Sequence, residues 1–159
     1  MLFWHVGGAI FLFRWIFRDP KVDVRLLALG AVLPDVVDLL LGVVLGAPST
    51  QRVGHSLLLP TFLAVLLLLA TRRGRKRRRL MTVVVAWLFH LSLDGVWLKG
   101  EVFLWPFFGW ELATPLPGTI RERAAEPWRW FKEALGLGYL FIAVRRSRAE
   151  KSAQNGGDG

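Results

Sequence analysis

The sequence has no cysteine in its 159 residues. Disulfides, thiolate metal ligands and cysteine nucleophiles are therefore excluded, and redox chemistry says nothing about the compartment. Histidine is scarce, at three, so the place of each one carries information. Negative charge is also short: 12 acidic residues face 21 Lys and Arg, for a net charge of +9. Apolar residues are in excess, at 53%, with eight Trp and eleven Phe. Ordinary soluble domains run nearer about 45–50% apolar. This composition argues against disorder, a fibre and a soluble globule, and the length suits one compact domain.

The apolar residues gather in five runs, at 2–17, 26–45, 55–70, 80–98 and, more weakly, 130–144. A helix needs about 20 such residues to cross hydrocarbon, with about 17 as a lower bound. The second and fourth runs meet that length; the others are marginal. Five such runs could hardly all be covered in so short a soluble chain. The expected fold is all-α: a polytopic membrane bundle of about four or five transmembrane helices. Residues 1–146 form the membrane-embedded domain in this reading, and 147–159 form a disordered polar tail. The first run lacks a basic start, and its cationic cluster of Arg14, Arg18, Lys21 and Arg25 lies at or beyond its apolar end. It therefore reads as a retained helix, not a signal peptide. No internal repeat is visible.

Lys and Arg set the expected orientation. They crowd the connections after the first and third runs and the stretch after the fifth. The connection after the second run holds only Arg52. The positive-inside rule then places the basic connections and the C-terminus in the cytoplasm and the N-terminus outside, in a multi-pass protein of the inner membrane. The densest basic run is Arg72, Arg73, Arg75, Lys76, Arg77, Arg78 and Arg79. It reads as an anchor on anionic lipid. A nucleic-acid module would need a reading element or stacking aromatics nearby, and here the flanks are apolar helices.

All three histidines, His5, His55 and His90, fall in or at the edge of apolar runs. So do Asp35, Asp38 and Asp94. Ionisable groups at membrane depth cost about 2.5–3.5 kcal/mol each on insertion scales. They must pair with one another or hold something. Asp35 and Asp38 are three apart and His90 and Asp94 four apart, so each pair shares a helix face. Helical spacing by four is a common way to present two donors to one metal. At about 1.5 Å per residue, Asp38, His90 and Asp94 lie roughly 8–14 Å below the outer ends of their runs. His5 and His55 stand near the outer starts of theirs. All six therefore come to the outward half of the membrane, although the orientation used only Lys and Arg.

Nitrogen and oxygen donors without sulfur suit a divalent metal, zinc first, with Mn, Fe, Ni or Mg as alternatives. The expected ligand set is His5, Asp35, Asp38, His55, His90 and Asp94, with some carboxylates behind the imidazoles. A catalytic metal keeps a position for water and lowers the pKa of that water towards about 7. Asp38 and Asp94 are the candidate bases, and Arg52, with Lys99, is a candidate clamp for an anion. Each residue has a plainer reading. His5 could be interfacial, Asp35 after Pro34 could cap a helix, His55 with Ser56 could open the third helix, and His90 with Asp94 could be a buried pair. Ser56 is a weak candidate nucleophile, because a metal-activated water would do the same work. The stretch Trp105-Pro106-Phe107-Phe108-Gly109-Trp110 is expected at the outer interface, over the site.

These residues carry a resemblance. An early His5 is followed by Gly30-Ala31-Val32-Leu33-Pro34-Asp35-Val36-Val37-Asp38, then Arg52-Val53-Gly54-His55-Ser56-Leu57-Leu58, then His90-Leu91-Ser92-Leu93-Asp94-Gly95 and the stretch ending at Pro106. Over roughly residues 1–110 the order resembles the bacterial family of inner-membrane, metal-dependent hydrolases of the LexA-binding type. Three positions depart from its pattern: the acidic pair is one residue wider, Gly54 stands where Thr is usual, and Gln51 replaces a His. More distantly, the chain is similar to the all-helical zinc phospholipase C and nuclease group. The resemblance implies hydrolysis of an ester, first a lipid or lipid-linked phosphoester. An ion or proton pathway, or a non-enzymatic scaffold locked by the same cluster, are the other classes.

Overall fold

The computed structural model describes residues 1–19, 22–46, 51–111, 122 and 124–156. Among these the regular structure is entirely helical. The elements are α1 (Leu2–Phe17), α2 (Val24–Val44), α3 (Leu58–Ala70), α4 (Arg75–Leu93), a 3-10 turn (Val96–Leu98), a short α5 (Gly100–Phe103) and α6 (Pro127–Gly156).

Helix α2 packs against α4, α1 against α6, α2 and α4, and α3 against α4. Ile10, Phe13, Leu27 and Ala86 form the apolar centre where α1, α2 and α4 meet. Small residues set the closest approaches. A Cβ on Gly30 would collide with the Val83 carbonyl oxygen, and one on Gly136 with the Phe3 carbonyl oxygen. Glycine at these crossings lets α2 approach α4, and α6 approach α1, nearly backbone to backbone.

The outward faces are as apolar as the centre. Helix α3 buries only Pro60 among its 13 residues. Leu69 is 81% exposed and Val44 of α2 is 80% exposed. Soluble monomers rarely show contiguous apolar surface on this scale. Only α2, at 21 residues, is both long and apolar enough to cross a membrane unaided among the described residues. The apolar helices α1 and α3 have 16 and 13 residues.

Several details differ from the sequence expectation. The fourth apolar run does not continue as a helix to 98: it stops at Leu93, because Gly95 turns the chain with a positive φ of 64°. Helix α4 instead begins inside the basic run, at Arg75. The third helix begins at Leu58, so His55 belongs to a turn. Pro34 sits within α2 without ending it. The tail expected from 147 is helical to Gly156, as a continuation of α6.

Candidate metal centre

Two imidazoles define the centre of the site. His90, on the last turn of α4, is fully buried. Its Nδ1 lies 2.6 Å from the carbonyl oxygen of Ala31 on α2. A carbonyl oxygen only accepts, so Nδ1 carries the proton and Nε2 keeps its lone pair in the neutral ring. His55, in the turn before α3, places Nδ1 2.7 Å from Asp38 Oδ2. That carboxylate likewise holds the proton on Nδ1. The two Nε2 atoms then face each other at 3.1 Å. Two buried lone pairs at that distance suit a shared proton or a metal cation.

Two carboxylates complete the group. Asp94 Oδ2 is 3.3 Å from His55 Nε2 and 3.4 Å from His90 Nε2. Asp35 Oδ1 is 3.5 and 3.7 Å from the same atoms. One donor atom from each of the four residues lies within 4.8 Å of all the others. For zinc bonds of about 2.0–2.1 Å in a tetrahedron, the donor–donor edge is about 3.3 Å. The measured nitrogen–oxygen and nitrogen–nitrogen separations cluster around that edge. The donor set and the tautomers therefore fit one divalent ion.

His5 and Asp38 stand behind this group. His5 Nε2 lies 2.8 Å from Asp94 Oδ1, and its ring lies 3.9 Å from that of His90. Asp38 is 2% exposed and takes the backbone N–H groups of Arg52 and Gly54 at 2.9 and 2.6 Å, besides His55 Nδ1. Three donors on one buried carboxylate hold the turn and aim the imidazole. The turn needs Gly54, because a Cβ there would collide with the Pro34 carbonyl oxygen. Trp87 Nε1 donates to the Gly54 carbonyl at 2.9 Å and fixes the other side of the peptide. A threonine has no room here.

The remaining candidates lie around the mouth. Asp35 has a side chain 48% exposed, so the cluster opens on its side. Arg52 is 4% exposed, with Nη1 3.6 Å from the exposed Glu111 carboxylate. A Cβ on Gly109 would sit 3.4 Å from Arg52 Nη2, which places the aromatic stretch against this guanidinium. The Leu57 N–H donates to the Phe103 carbonyl at 2.8 Å, tying the turn to α5. Ser56 is buried with its hydroxyl donating to the Val53 carbonyl at 2.7 Å, outside the four-residue group.

Two participants were not candidates in the sequence. Gln51, noted only as a departure, has Nε2 3.4 Å from Asp94 Oδ2 and accepts from Lys99 Nζ at 3.2 Å. The sole sequence signal was its place beside Arg52. Glu133 of α6 accepts the backbone N–H groups of Phe3 and Trp4 at 2.7 and 3.2 Å. It caps a helix that has no side-chain cap of its own. A carboxylate there completes orphan donors at the positive end of the helix dipole and steadies His5 one turn on. A lone acid in a largely apolar stretch was the available signal.

The sequence model for the YdjM inner membrane protein family matches residues 2–151. No curated protein and no solved structure matches the chain significantly.

Proposed function

The chain belongs to this family of inner-membrane proteins, and we propose that it is a multi-pass hydrolase that cleaves a lipid or lipid-linked phosphoester at a divalent-metal site. The observation that carries the reading is the pair of Nε2 atoms 3.1 Å apart, each ring held by an acceptor on Nδ1. Asp35, His55, His90 and Asp94 would hold the ion, and zinc suits this donor set best. When bound, such an ion polarises a phosphoryl oxygen and lowers the pKa of water towards about 7.

The protein's own groups do the rest. Asp38 and the Ala31 carbonyl lock the imidazole tautomers. With both oxygens committed, Asp38 is a positioning residue in this account, and Asp94 is a ligand that His5 supports. One oxygen of Asp94 faces the imidazole pair and the other meets His5 Nε2. That geometry would present one Asp94 oxygen to the ion while His5 steadies the other. Arg52 and Lys99 supply positive charge near the mouth for a phosphate, with Glu111 as the exposed partner that a substrate would displace. A lipid substrate suits a site framed by helices with apolar outer faces. The charge pattern puts the site towards the outer half, with the N-terminus outside and the C-terminus cytoplasmic.

The test is metal content with activity. Protein purified in detergent and loaded with zinc is expected to hold about one ion per chain and to hydrolyse a lipid phosphomonoester or phosphodiester. Asp94→Ala and His90→Ala should lose both. Wild-type protein that retains less than about a tenth of an ion per chain after loading would sink the hydrolase reading. Bound metal without cleavage of any lipid phosphoester would leave a binding or transport role. A reporter on the C-terminus that signals from outside the cell membrane would overturn the orientation.

A further inference from the structure

The end of the bundle away from the His–Asp cluster carries a cavity of about 650 Å³. It lies between the end of α1, the start of α2 and the first turns of α4. Arg79 and His90 are eleven residues apart on α4, or about 16 Å along its axis, so the two sites are separate. Arg75, Arg78 and Arg79 bring three guanidinium groups to the cavity, and Asp19 and Asp23 bring two carboxylates. Arg79 Nη2 lies 3.2 Å from Asp23 Oδ2, and the other Asp23 oxygen accepts the Arg25 N–H. Three positive groups against two negative ones leave room for one negative charge. Apart from Thr82, the other lining is apolar: Phe13, Phe17, Val22, Leu26, Met81 and Val85. A second cavity shares Leu26, Arg75 and Arg79.

We propose that this cavity binds the head group of one anionic phospholipid, a phosphodiester with a single negative charge. Arg75 and Arg78 meet the phosphate, while Arg79 stays with Asp23. The glycerol and upper acyl chain lie on the Phe13, Phe17 and Leu26 side. Phe17 is half exposed and Trp15 more so, so the apolar surface continues out of the cavity along α1. A free phosphate would satisfy the arginines and leave six apolar side chains uncovered. A zwitterionic lipid would bring a cation to a site that already has one in excess. The site does not depend on the metal reading and stands or falls separately from it.

Native mass spectrometry of the delipidated full chain in detergent tests this with phosphatidylglycerol, phosphatidylcholine and inorganic phosphate as probes. One phosphatidylglycerol per chain should be retained, and phosphatidylcholine should not. Arg75→Gln with Arg78→Gln should weaken phosphatidylglycerol binding about thirtyfold. Met81→Trp fills the cavity, leaves every charge in place, and should also remove the lipid. Arg72→Gln with Arg73→Gln removes the same charge from the same basic run outside the cavity, and should weaken binding less than about threefold. Equal losses from the two arginine pairs would show diffuse attraction and overturn the site. So would equal retention of phosphatidylcholine, full binding by Met81→Trp, or displacement of the lipid by inorganic phosphate.

Discussion

The two ends of α4 hold ionisable residues on opposite terms. Its first turns, from Arg75 to Arg79, are mostly exposed, and the Arg79–Asp23 pair joins two solvent-reachable groups. Its last turn holds His90 with no exposed surface, followed by Asp94 with 15% of its side chain exposed. Exposed charges of the first kind are cheap to place and individually contribute little to stability. Buried groups of the second kind are expensive unless each finds a partner. The sequence places its dense positive charge at the exposed end of this helix. It spends its few histidines where every ring nitrogen has consequences. The difference teaches that the abundant charge lies on the exposed end of the helix, while the scarce histidines lie in the buried cluster.

Substitutions at the two ends should therefore differ in kind, and the largest effect belongs to the imidazole pair. Removing His90 by alanine should drop bound zinc from about one per chain to less than about a tenth, read by elemental analysis. Loss of the supporting carboxylate is next. Asp38→Asn should leave the stoichiometry at saturation intact but weaken zinc affinity by about 10–100-fold in a chelator competition. Gly54→Thr tests whether the turn itself is overdetermined. Its side chain meets the Pro34 carbonyl, and thermal unfolding in detergent should show a loss of about 1–3 kcal/mol. Glu133→Ala removes the cap of α1 and should cost about 1 kcal/mol, with a smaller fall in zinc affinity as His5 loosens. At the basic end, Arg79→Gln should change stability by less than about 1 kcal/mol and leave zinc binding untouched. A zinc loss there comparable with His90→Ala would erase the contrast between the ends.

Much of this contrast was legible in the residues. The four-residue spacing of His90 and Asp94 survives as a shared face at the C-terminal turn of α4. The common depth of His5, Asp35, Asp38, His55, His90 and Asp94 corresponds to a connected cluster in space. What pattern could not give was the division of labour within that cluster. Asp35 and Asp38 look alike in sequence, but Asp35 faces the opening and Asp38 is consumed by two backbone N–H groups and an imidazole. Those bonds join residues 14 to 17 positions apart, which no local periodicity encodes. Helix ends were also hidden, because apolar content continues past Leu93 while the backbone turns at Gly95. The cap from Glu133 joins residues 130 positions apart, and only packing of α6 on α1 reveals it. Gln51 read as the loss of a histidine. In space its amide links Lys99 to Asp94, which makes it part of the wall of the site.

The claim at the centre of this account is that Asp35, His55, His90 and Asp94 bind one metal ion together. X-ray absorption at the zinc edge of the zinc-loaded protein tests it most directly. The predicted spectrum has about two imidazole nitrogens and two carboxylate oxygens at about 2.0–2.1 Å, with multiple scattering from both rings. A shell of oxygen alone, with no imidazole scattering, would contradict it.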